Sequence, residues 1–189
     1  MINSMKRCDW VDLNNKLYVK YHDDEWGKPL HSDKKLFELL ILEGAQAGLS
    51  WSTILNKREN YRIAFDNFDF NKVAKYTESK QKQLLNDKGI VRNRLKIKSS
   101  INNAKIFLEI RKEYKTFNNY IWEFVDNEPI KNKFKSMKEI PAKTDLSDKI
   151  SKDLKKRGMN FVGSTIIYAY MQAIGMVNDH QTNCFKYEL

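Results

Sequence analysis

Residues 33–51 read DKKLFELLILEGAQAGLSW, and the reading of this stretch decides the fold. Leu36, Leu39, Leu40 and Glu43 recur at the 3.6-residue spacing of a helix, with Ser32 or Asp33 placed to cap its start. Gly48 ends it, and Ser50 caps a second helix through WSTILNKRENYRIAF, where Trp51, Ile54, Leu55, Tyr61 and Phe65 repeat helically. Further on, a shorter helix is expected after Asn71 and another from about Glu78 to Asp87. DKGIVRNRLKIKSSINNAKIFLEI then reads as a turn at Gly89 followed by a long amphipathic helix, with one more helix near Tyr120–Val125. LSDKISKDLKKRG is a charged helix stopped by Gly158, and FVGSTIIYAYMQAIGMV is a last, well-buried helix. Before residue 31 the chain is aromatic and irregular, and NEPIKNKFKSMKEIPAKTD, with two Pro and many Lys, reads as a connector. Strand signal is weak throughout and no repeat is found, so the expected fold class is all-α.

Composition agrees with that reading. Only 7 Gly and 3 Pro in 189 residues leave few chain breakers, and 41% hydrophobic residues suffice for a core. A formal charge of +10 attracts polyanions, and 12% aromatic residues favour stacking on bases. The competing explanation for the charge is a solubilising lysine coat. No apolar run approaches the ~20 residues of a membrane span, and no secretory leader is recognised. With only Cys8 and Cys184, a disulfide framework is not indicated and a cytoplasmic location is expected.

Three features bear on chemistry. Glu43 shares the apolar face of Leu36, Leu39 and Leu40, and the small residues Gly44, Ala45, Ala47 and Gly48 leave room beside it. A carboxylate in such a place needs a salt bridge, partial exposure or a function. Cys8 and His22 near one end face His180 and Cys184 near the other, and two thiolates with two imidazoles form a tetrahedral zinc set. Such a site would have no open position and would be structural, tying the termini together; the alternative is two free cysteines and two unrelated histidines. Finally, LLNDKGIVRNRLKI joins two helices through a Gly turn flanked by Arg92 and Arg94, which suits either phosphate contact or an ordinary helical hairpin.

The runs RCDWV, LYVKYHDDEWGKP, KLFELLILEGAQAGLSW, ILNKRENYR, GIVRNRLKI and LKKRGMNFVGSTIIYAYMQAIGMVNDH, with the final Cys184, resemble the type I 3-methyladenine-DNA glycosylases. The resemblance spans about Lys6 to Tyr187, and EGxQAGLSW and KKRGxxFVGxT are its most specific parts. It implies a helix-hairpin-helix glycosylase fold over residues 1–189, as one domain with two helical lobes around a base-binding cleft. It implies one structural Zn2+ on Cys8, His22, His180 and Cys184. By position it places base recognition on Glu43 and Tyr21, and the pocket walls on Trp10, Tyr18, Trp26 and Trp51. DNA contact falls on Gly48 and Leu49, as a wedge into the gap left by a flipped nucleotide, and on the hairpin with Gly89, Arg92 and Arg94. The implied reaction is hydrolysis of the N-glycosidic bond of 3-methyladenine in alkylated double-stranded DNA by a monomer, releasing the free base without strand cleavage. Ala45 departs from the family, which often has Gln there, and residues 127–143 match poorly and inherit no role. A non-enzymatic, zinc-stabilised helical DNA-binding protein is the alternative, disfavoured because a pure binder does not need a carboxylate among tryptophans.

Overall fold

The computed structural model of the chain describes residues 5–188. Its elements are α1 (Lys16–Asp24), α2 (Asp33–Gln46), α3 (Trp51–Ala64), α4 (Phe70–Val73), α5 (Glu78–Asn86), α6 (Arg94–Tyr114), α7 (Phe117–Trp122), α8 (Asp145–Lys156) and α9 (Ser164–Ala173). Short 3-10 turns and one two-residue parallel pairing, β1 (Ile130–Lys131) with β2 (Val177–Asn178), complete it. The architecture is mostly helical, as the periodicities implied. Among the described residues no helix is long and apolar enough to cross a membrane.

The stretch that opened the sequence reading becomes the central helix. α2 packs against α3, α6, α7 and α9, and every residue from Leu36 to Ala45 is buried. A helix apolar on one stripe needs one neighbour, whereas one enclosed on all sides must also accommodate its polar residues. Burying each Leu or Phe here contributes about 1.5–3 kcal/mol. At the C-terminal end Gly48 adopts φ +76° with open space around it, so the chain turns sharply into α3. Ser50 caps α3 by accepting the Thr53 N–H.

Several boundaries differ from expectation. Residues 16–24, read as irregular, form α1, because the Asn15 side chain accepts the N–H groups of Leu17 and Tyr18 and starts the helix. The helix after Asn71 is only the four residues of α4. The last helix begins at Ser164 rather than Phe161, which has φ +55°. The connector is anchored at its start by the β1–β2 pairing. A main core includes most of α2, α6, α7 and α9, and a second cluster gathers Cys8, Val11, Tyr21, Trp26, Leu55 and Cys184; Trp51 packs against both. The cavity described next lies where the two meet.

Candidate active site

All six side chains assigned to the base pocket line one cavity of about 340 Å3, a normal size for a small-molecule site. Trp10 comes from the N-terminal loop, Tyr18 and Tyr21 from successive turns of α1, Trp26 from the turn after it, Glu43 from α2, and Trp51 from the first position of α3. Two further walls were missed from sequence. α9 contributes Thr165, Tyr168, Ala169 and Gln172, and the connector contributes Met137, Ile140, Pro141 and Ala142. The signal for α9 was present: polar Thr165, Tyr168 and Gln172 recur at i, i+3 and i+7 on an otherwise apolar helix. For the connector, the only cue was apolar residues interrupting a lysine-rich run.

Two glutamates of α2 are buried, and their contrast locates the chemistry. Glu38 is paired: Arg58 Nε donates to it at 2.7 Å, and Lys35 and Arg62 lie within ion-pair reach. Burial works to raise its pKa, but Arg58 and Lys35 bring it below the ordinary value. Glu43, only 4% exposed, has no such partner among the described residues, and burial alone pushes its pKa up to about 8. An unpaired carboxyl aimed into a cavity is arranged for a ligand rather than for stability. Burial, and secondarily the nearness of Glu43, raises the pKa of Tyr18 and Tyr21, so both hydroxyls remain donors beside it.

The aromatic walls hold one another. Trp10 packs edge-on to Trp26 with ring centroids 4.9 Å apart and lies 5.3 Å from Tyr18, while Tyr21 lies 5.2 Å from Trp51. The indole N–H groups of Trp10 and Trp51 are buried without a partner among the described residues. The cavity thus offers flat apolar faces and a carboxyl of raised pKa, beside the polar side chains of Gln46, Thr165, Tyr168 and Gln172. That inventory suits a flat, polar-edged ring.

Behind this wall the chain ends meet. Cys8, His22 and Cys184 are buried, and the ligating atoms they offer all lie within 4.8 Å of one another, a grouping able to hold a metal ion. Asp23 contacts His22 Nδ1 at 2.7 Å, leaving Nε2 turned to the sulfurs, 3.4 Å from Cys184 Sγ. That is the carboxylate–histidine arrangement common beside metals. His180 lies outside the three-residue group, but its ring centroid is 5.1 Å from that of His22. Its Nδ1 is 2.9 Å from Asn178 Oδ1, and its Nε2 is buried without a partner. A buried ring nitrogen left unpaired next to the His22 imidazole is chemically able to serve as a ligand. Gly27 is required here, since a Cβ at that position would come within 2.6 Å of the His180 ring.

Of the remaining predicted residues, Gly48, Leu49, Arg92 and Arg94 are exposed and Gly89 is half-buried. Leu49 is 41% exposed at the tip of the Gly48 turn. α5, the segment 87–93 and α6 form a helix–turn–helix hairpin, with Asn93 accepting the N–H groups of Leu95 and Lys96 to start α6. Arg92 and Arg94 are exposed and carry no ion pair among the described residues. Lys96, two residues further on, is nearly buried and donates to the carbonyls of Ala45 and Ala47 at 2.8 and 2.6 Å. It caps α2 and joins the hairpin to the helix that carries Glu43. α6, read from the sequence as one long helix, runs unbroken past Glu109 and Glu113.

Comparison with known proteins gives this arrangement its relatives. DNA-3-methyladenine glycosylase 1 of Escherichia coli (strain K12) is 49% identical over 183 residues, 97% of this chain and 97% of that protein. A crystal structure of 3-methyladenine DNA glycosylase I superposes with a TM-score of 0.93 at 48% identity, covering 96% of this chain and 100% of that one. A structure of the enzyme from Staphylococcus aureus, solved to explain its recognition of 3-methyladenine, gives a TM-score of 0.92 at 34% identity and 96% coverage of each chain. The sequence model of the methyladenine glycosylases matches residues 10–187, and this chain belongs to that family.

Proposed function

We propose that this protein hydrolyses the N-glycosidic bond of 3-methyladenine in alkylated double-stranded DNA. The observation that carries the reading is Glu43: a buried, unpaired carboxyl in an aromatic cavity, within a chain of this family. Adenine methylated at N3 in DNA is cationic, so the bond from C1′ to the base breaks without prior protonation. The electron pair of that bond leaves with the base, which becomes neutral, and water adds to C1′ with loss of a proton. The protein's task is to extrude, hold and select the base. Glu43 accepts a hydrogen bond from the exocyclic amine and favours the cationic ring; Tyr21 supplies a second polar contact. Trp10 and Trp51 stack on the ring for about 1–3 kcal/mol per face, with Tyr18 and Trp26 shaping the wall. Among the described residues no lysine lines the cavity, and the reading is of a monofunctional enzyme without strand cleavage. Incubation with methylated duplex separates this reading from plain DNA binding: free 3-methyladenine must be released, and binding without release would overturn it.

Gly48 and Leu49 enter the duplex at the flipped nucleotide, and the hairpin with Gly89, Arg92 and Arg94 holds the phosphate backbone of a single protein monomer's DNA. One structural Zn2+ is held by Cys8, His22, His180 and Cys184. When bound, it cross-links the two ends of the chain and takes no part in bond cleavage. The DNA contacts give the next prediction. Binding to undamaged duplex should fall steeply with salt, and Arg92→Ala with Arg94→Ala should flatten the log–log slope by up to about 2, alike for all sequences. An unchanged slope would place the DNA on another face.

A further inference from the structure

Asp179 is the second carboxylate behind the cavity and is completely buried. No cation pairs with it among the described residues; three neutral groups donate to it instead. Tyr168 Oη donates to Oδ2 at 2.5 Å, Gln172 Nε2 to the same oxygen at 2.7 Å, and Asn132 Nδ2 to Oδ1 at 2.7 Å. Tyr168 and Gln172 lie four residues apart on α9, and both line the cavity that holds Glu43. A carboxylate accepts and does not donate, so it fixes the sense of each partner. With one Nε2 proton given to Asp179, Gln172 cannot turn its Oε1 to that carboxylate, and Oε1 stays available as an acceptor on the cavity side. With its proton given to Asp179, the Tyr168 hydroxyl has only lone pairs left. On the α9 wall Tyr168 and Gln172 therefore supply acceptors, while Thr165 keeps a hydroxyl able to donate.

We propose that Asp179 is a positioning residue that locks Gln172 as a hydrogen-bond acceptor toward the base, making Gln172 a determinant of specificity for purines with an amino group over those with a carbonyl at the same edge. An amino purine meets acceptors on both Glu43 and Gln172, whereas a carbonyl purine sets oxygen against oxygen. Leaving such polar groups unpaired in a closed site is the main way an enzyme rejects a near-isostere. The proposal rests on the reading of this cavity as the base site.

The test compares affinities of free 3-methyladenine and 3-methylhypoxanthine, which differ in amine and carbonyl at one position. In Asp179→Leu the acceptor that holds Gln172 Nε2 is removed at similar volume, and the Gln172 amide is free to turn its N–H groups to the cavity. The preference for 3-methyladenine should fall about tenfold or more in Asp179→Leu. Gln172→Ala should lower it similarly, and adding Asp179→Leu to Gln172→Ala should change it no further, because one residue acts through the other. A preference ratio is insensitive to a fraction of unfolded protein, and metal content and Tm are followed alongside. If Asp179→Leu does not fold, Gln172→Ala decides alone: a lowered ratio supports the proposal and a wild-type ratio overturns it. An unchanged ratio in folded Asp179→Leu, or additive effects, also overturns it. If Glu43→Gln leaves 3-methyladenine affinity unchanged, the base site itself is misplaced; if it weakens binding while the α9 variants keep the wild-type ratio, only this inference fails.

Discussion

Replacing Glu43 with Gln is expected to weaken 3-methyladenine binding and slow its excision by about 1–3 kcal/mol, roughly 5- to 150-fold, while leaving the fold intact. The side chain keeps its shape, but it loses its charge, and an N–H can now face the exocyclic amine. The raised pKa adds a second, separable signature. In the folded protein the carboxyl titrates near 8 against an ordinary 4.5, because burial penalises its charged form. The folded state therefore holds a proton that the unfolded chain releases in this window. Stability from the group is full below about pH 4.5, declines as pH rises to about 8, and is level beyond. Each pH step in that interval costs at most about 1.4 kcal/mol. Gln does not titrate, so the melting temperature of the variant should gain on wild type between pH 5 and 8.5. Excision by wild type should in turn rise toward pH 8, since the cationic base calls for the ionised carboxyl, and the variant should lack that rise. Calorimetric melting and excision rates across pH check both arms. A variant that matches wild type in base affinity would show Glu43 to be a structural carboxyl.

The other large effect is expected at the chain ends. Cys8→Ser and Cys184→Ser should each abolish binding of one zinc per chain. Losing such a link costs at least about 3 kcal/mol, which for a chain of this size lowers Tm by about 6–12 °C. From sequence the site is only a tie between termini, with the pocket unaffected by its loss. The packing implies more. The His22 ring lies 5.2 Å from Trp10, and the His180 ring 4.7 Å from Trp26, so these two side chains back the aromatic wall directly. Base affinity should therefore fall together with zinc content and recover with neither variant on adding zinc. Elemental analysis with thermal melting is the check, and full zinc content in both variants would rule the assignment out.

How much of this was legible in the sequence follows from the physics of each signal. Strong periodicity gave α2, α3, α5, α6 and α8 within a few residues. Glu43 stood out because a carboxylate on an apolar stripe violates patterning, and Cys8, His22 and Cys184 because ligand types are scarce elsewhere. α1 was missed because its aromatic residues mask the short helix that Asn15 starts. The enclosure of α2 on every side could not be read, since only partners on four other helices create it. The connector and the α9 face were missed for a related reason. Met137, Ile140 and Gln172 become cavity walls only through contacts distant in sequence, which a single periodic segment does not encode. Glu38 is as buried as Glu43, yet only the structure shows that Arg58 neutralises one and leaves the other free.

The most direct test is a crystal of the protein soaked with free 3-methyladenine. The base is predicted to occupy the cavity beside Trp10 and Trp51, with its exocyclic amine in hydrogen-bond reach of the Glu43 carboxylate. A base bound elsewhere on the protein, or a cavity left empty at saturating base, would contradict the account.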